Sequence, residues 1–127
     1  MKDLKISKEL LSEVLNYEVD AFLGINKNEI DYTCCRDENE GYVDISINIY
    51  EFAYKSKEWA ENKGYILFSK NKECLIYSID EVYDVIECLN QYEDYFEGNT
   101  EIEAVIKACN WILEELNERF EDKQRAN

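Results

Sequence analysis

The 127 residues carry 29 acidic and 14 basic side chains and no histidine, for a net charge of −15 and an isoelectric point near 4.3. That balance excludes phosphate-backbone binding and adhesion to anionic membrane as the main activity, because both need a basic surface. Apolar residues at 46% and aromatics at 13% exclude a disordered acidic tail, which lacks the aromatic content for a core.

In chain order, Ser7 is placed to cap a short helix whose Leu10, Leu11, Val14 and Leu15 form one apolar stripe. Residues 17–25 alternate weakly and read as a strand. Residues 29–36 and 42–47 are richer in β-formers, and Asp37-Glu38-Asn39-Glu40-Gly41 between them reads as a hairpin turn. This turn has some calcium-loop character, but its glycine comes one place early and the distal glutamate is missing. Asn48 and Glu51 have capping-box spacing and open a helix to residue 62 or 63, with Ile49, Phe52, Ala53, Ser56, Trp59 and Ala60 inward and Gly64 as its stop. Tyr50 and Tyr54, four apart, fall at the exposed edge of that helix. Residues 65–69 and 74–79 form a hairpin across a polar turn at 70–73. Residues 80–89 fit a short helix better than a strand, with Ser78 and Glu81 as a second capping box, and residues 92–97 read as a brief strand. Thr100 and Glu103 then cap a helix with Ile102, Val105, Ile106, Cys109, Ile112, Leu113, Leu116 and Phe120 on one face. Helix, strands, helix, hairpin, helix is the order of an α+β domain, helices packed on an antiparallel sheet as an α/β sandwich. One domain over 1–127 is expected, with 121–127 a frayed tail.

Reactive chemistry is sparse. Without histidine the commonest general base is missing. Cys34 is the best placed nucleophile candidate, yet only Arg36 lies near it in sequence to lower its pKa. Adjacent Cys34 and Cys35 must face opposite sides of a strand, and a zinc site would need four of the five cysteines, Cys34, Cys35, Cys74, Cys88 and Cys109, to converge. The four glycines are isolated turn residues, not a phosphate loop. Glu93 and Asp94 with Glu97, or Asp80 and Glu81 with Asp84, could hold a divalent cation weakly, but a solvated acidic face is the simpler reading. The chain is read as non-enzymatic, with no cofactor and no metal. No apolar run of signal-peptide or membrane-span length occurs, so the cytoplasm is the expected compartment.

Between Glu73 and Glu103 stand ten acidic residues, and no lysine or arginine occurs from Lys72 to Lys107. Glu101 and Glu103 belong to a helix N-terminus, where negative charge is favoured. The middle part of the run, Asp80, Glu81, Asp84, Glu87, Glu93, Asp94 and Glu97 with Tyr92 and Tyr95, has the composition of a recognition surface. Carboxylates steer a basic partner, and tyrosine gives flat contact area with a wet hydroxyl.

Three stretches also resemble a known family. They are Ser7–Leu15, then Ile47–Ala53 continuing through Lys57-Glu58-Trp59-Ala60 to Lys63-Gly64-Tyr65, and then Asn99–Ala104 with Lys107–Leu113. Together they are similar to small phage and prophage proteins of the phage ABA-sandwich kind. The resemblance implies an α/β sandwich and a phage setting, and no catalytic residue. Residues 80–95 depart from the usual pattern, in which the central hairpin leads sooner to the last helix. In that setting the expected partner is a basic, nucleic-acid-binding host protein, such as a defence effector, blocked by an anti-CRISPR-type inhibitor whose carboxylates mimic phosphates. Direct contact with nucleic acid or membrane is not expected. The alternative is a phage accessory module, able to pair with itself through an exposed strand or the Trp111 helix, whose acidity serves solubility only.

Overall fold

The structure is a computed structural model describing residues 4–37, 41–78 and 94–125, without the side chains of 36, 37 and 120–125. The expected helix or strand at 80–89, Cys88, the turn tip at 38–40 and Phe120's place on the last stripe lie outside what is described. Among the described residues are three helices and two three-stranded antiparallel sheets, an α+β arrangement. The strands are thus shared between two sheets. The chain divides into two compact units, Met1–Trp59 and Ala60–Asn127.

In the first unit, α1 (Lys8–Leu15) begins where Ser7, in extended conformation, accepts the Leu10 N–H on its Oγ at 3.1 Å. Ile6 before the cap and Leu11 in the first turn are both fully buried, at the two positions of a hydrophobic staple. Asn16 closes the helix with φ 61°. The Ser12 hydroxyl donates back to Lys8 O and accepts the Val19 N–H at 3.0 Å, which ties the helix to the chain leaving it. The expected strand at 17–25 therefore starts later, as β1 (Ala21–Asn26), because residues 16–20 are spent on this connection.

Strand β2 (Glu29–Asp37) pairs with β1 on one side and β3 (Gly41–Asn48) on the other. Ile30, Tyr32 and Cys34 are buried, opposite Ile47, Ile45 and Val43 of β3. The intervening Asp31 lies on the other face, where it accepts the Ser46 hydroxyl at 2.6 Å. A register shift between Phe22 and Gly24 leaves Leu23 exposed.

Asn48 ends β3 and caps α2 (Ile49–Asn62): its Oδ1 accepts the N–H groups of Tyr50 (2.9 Å) and Glu51 (3.2 Å). The Ile49 N–H goes to Asn28 O at 2.8 Å, so the first three donors of the helix are satisfied. Ile49, Phe52, Ser56, Trp59 and Ala60 are buried. The Ser56 hydroxyl returns to Phe52 O at 2.8 Å, and Trp59 Nε1 donates to Glu13 Oε2 at 3.3 Å. Gly64, at φ 96°, ends the helix in the conformation that glycine adopts at least cost.

The second unit pairs β4 (Tyr65–Lys70) with β5 (Glu73–Ser78) and β5 with β6 (Asp94–Glu97). The β4–β5 turn is shorter than expected. Lys70 and Glu73 are paired, leaving Asn71 and Lys72 as its loop, with Asn71 at φ 56°. Helix α3 (Glu101–Arg125) packs against all three strands. Its buried residues are Ile102, Val105, Ile106, Cys109 and Ile112 of the expected stripe, together with Ala104 and Ala108. The Tyr65 ring stands edge-on to Trp111 at 5.9 Å, and the Arg119 guanidinium lies 5.8 Å from its centre.

Candidate functional site

Of the nine expected contact residues, Asp94, Tyr95 and Glu97 lie within the described structure, on β6. Asp80, Glu81, Asp84, Glu87, Tyr92 and Glu93 lie outside it. Alternation along β6 separates even these three. Tyr95 and Glu97 share one face of the sheet and Asp94 projects to the other, where its Oδ1 accepts the Tyr95 N–H at 2.7 Å.

The register brings in a residue outside the expected set. Glu73 on β5 is the direct partner of Glu97, and Leu75 is the partner of Tyr95. Two carboxylates thus face each other across a strand pair, an arrangement that destabilises a sheet when nothing intervenes. The Tyr95 hydroxyl intervenes. It lies within hydrogen-bonding distance of Glu73 Oε1, at 3.0 Å, and of Glu97 Oε1. A phenol has one proton to give, so the two carboxylates share a single donor. The bond to Glu97, burial and the bond to Glu73 together hold the Tyr95 phenol well above its ordinary pKa. Its hydroxyl is therefore tied to the protein, not left to water as the sequence alone suggests. Along the same face the character changes from acidic to apolar, through Leu75 to Phe68 and Tyr77, whose rings meet edge-on at 5.2 Å. Phe68 is half exposed.

The linear gap in basic residues closes in space. Lys107 Nζ donates to Glu97 O at 2.9 Å and lies 3.5 Å from Glu103 Oε1. Lys72 O accepts the Gly98 N–H at 2.9 Å, which places the β4–β5 turn beside the end of β6. Glu101 accepts the Ser69 hydroxyl at 2.5 Å. Glu103 accepts the Asn99 N–H, while Thr100 Oγ1 accepts that of Glu103. Those two glutamates are engaged at the entry to α3.

Other groups with chemical potential are held in unreactive settings. Cys34 is buried, and burial followed by the charge of Asp20 raises its thiol pKa, the opposite of what a nucleophile requires. Its neighbour Cys35 is exposed, as strand alternation demands. Burial and a hydrogen bond with the Tyr17 hydroxyl push the Tyr32 phenol upward. Among the described residues no three acidic or cysteine side chains are grouped to hold a metal ion. No described helix is long and apolar enough to cross a membrane. Trp111, a candidate for self-pairing, has its ring against Tyr65.

Comparison with known proteins gave no matching family model, no matching curated protein and no matching solved structure.

Proposed function

We propose that this chain is a non-enzymatic acidic protein that binds a basic, nucleic-acid-binding host protein and inhibits it by occupying the surface that phosphates would take. The phage setting, and an anti-CRISPR-type or other anti-defence role, come from the family resemblance. The observation that carries the reading is the net charge of −15 on a folded, aromatic-rich chain. In the described structure it has a local expression in Glu73 and Glu97, two facing carboxylates with one shared donor. An arginine or lysine brought to this pair would add charged donors and offset the like-charge repulsion, so the cluster gains more from a cationic partner than an isolated glutamate would.

Binding of this kind is screened by salt, since the Debye length falls from about 10 Å at 0.1 M to about 3 Å at 1 M. The test is capture of a partner from nuclease-treated host lysate at low and high salt, using the natural chain and a Glu73→Lys/Glu97→Lys variant. Salt-sensitive capture that the variant weakens supports the proposal. Salt-independent capture, or a self-associated chain with no basic partner, points to the accessory module.

A further inference from the structure

A second candidate surface is formed by α2. Tyr50, Tyr54, Glu58 and Glu61 follow one another at intervals of four, four and three, which places them in a single stripe on the outer side of the helix. All four are exposed, Tyr50 at 60% and Tyr54 at 66% of full residue exposure. Glu51 is exposed beside them; Lys57, three residues after Tyr54 and four before Glu61, falls within the same stripe and is only partly exposed, as is Lys55 elsewhere on the helix. The helix does not need these rings. It is capped by Asn48 through the backbone and held by its opposite face, Ile49, Phe52, Ser56, Trp59 and Ala60. A solvated helix face filled for propensity or solubility alone takes short-chain or charged residues, not two adjacent aromatic rings. The neighbouring Glu58 carboxylate also raises the Tyr54 phenol pKa.

We infer that this stripe is a docking surface for an arginine-bearing basic segment of a partner protein. Charge complementarity selects a cationic occupant, since the fully exposed charges on and beside the stripe are Glu58, Glu61 and Glu51, against the single, only partly exposed Lys57 within it. The rings select arginine over lysine. A planar guanidinium stacks on a tyrosine face while its edge pairs with a carboxylate one turn away, and a compact, strongly hydrated ammonium does both less well. From Tyr50 to Glu61 the stripe spans roughly 16 Å, the reach of about five extended residues. The inference rests on the reading that the partner is basic. It does not depend on Glu73, Tyr95 or Glu97.

The test uses the full chain and two short capped peptides, one alternating arginine with glycine and the other lysine with glycine. Titrations at low salt are followed by backbone amide shifts and by affinity. Tyr50→Ala/Tyr54→Ala leaves the net charge unchanged and places good helix formers at exposed positions, and circular dichroism checks that it folds. The arginine peptide is expected to shift the amides of residues 50–61 and to bind several-fold tighter than the lysine peptide. The double variant should bind the arginine peptide about tenfold more weakly and lose the preference over lysine. Tyr54→Phe, which keeps the ring, should retain most of the binding. Equal affinity for both peptides in the natural chain, unchanged arginine binding by the double variant, or shifts confined to β5 and β6 would each overturn the inference. In the last case the β5–β6 reading survives. A wild-type chain that binds neither peptide removes the docking surface and leaves the lysate capture to decide the broader proposal.

Discussion

Three tyrosines hold their protons more firmly in the folded chain than ordinary tyrosines: Tyr54, beside Glu58, and more strongly Tyr32 and Tyr95, for different reasons. At Tyr32 the first cause is burial, followed by the Tyr17 hydroxyl. At Tyr95 it is the bond to Glu97, followed by burial and the bond to Glu73. A phenol whose folded pKa is raised favours folding at every pH below its unfolded value near 10, and that contribution is lost as the pH climbs from there toward the folded value. Stability should therefore be flat with respect to these two groups at neutral pH and fall from about pH 10 upward. Comparison of thermal midpoints near pH 9 and near pH 11 in the natural chain and in Tyr32→Phe/Tyr95→Phe checks this. The variant should lose less on going alkaline, and an identical decline in both would refute the assignment. Tyr95 also marks a limit of reading along the chain. Its bond to Glu97 joins residues two apart, which alternation makes legible, but its bond to Glu73 crosses 22 positions and depends on strand register. Asp94, adjacent in sequence, faces the other way.

Helix caps were the most legible features, because their chemistry is local. Ser7, Asn48 and Thr100 each accept the backbone N–H their spacing announces. Replacing Asn48 with alanine strands two donors at the start of α2 and should cost about 1 kcal/mol in chemical denaturation, while leaving the far-UV spectrum native. The corner between β6 and α3 is more constrained than its sequence suggests. A Cβ at Gly98 would stand 2.8 Å from Glu103 Cβ and 2.9 Å from Ala104 N, both fixed by the helix backbone. Gly98→Ala should therefore destabilise by roughly 1–3 kcal/mol, an overpacking effect that equal stability of variant and natural chain would contradict. Less legible were features decided by distant partners. The late start of β1 follows from the Ser12–Val19 bond, and the short β4–β5 turn follows from Lys70 facing Glu73. The division of the strands between two sheets is likewise a matter of which strand lies beside which, and hydrophobic patterning fixes only which side of a strand is buried.

Taken over all 127 residues, a charge of −15 favours partners of opposite sign and works against the folded chain through self-repulsion. Part of that charge is committed to local bonds: Glu103 is met by Lys107, Glu101 by Ser69, and Asp31 by Ser46. The exposed carboxylates on α2 and the facing Glu73–Glu97 pair are among the described groups that an external cation could reach. If carboxylates stand in for phosphates on a partner's surface, nucleic acid and this chain must exclude each other there. The decisive measurement is competition, in which the partner captured at low salt is challenged with increasing concentrations of duplex DNA and of RNA. The account predicts that one of them displaces the partner in a saturable, salt-dependent manner, and that Glu73→Lys/Glu97→Lys lowers the concentration needed. A partner that holds this chain and its nucleic acid at once, with neither weakening the other, would contradict it.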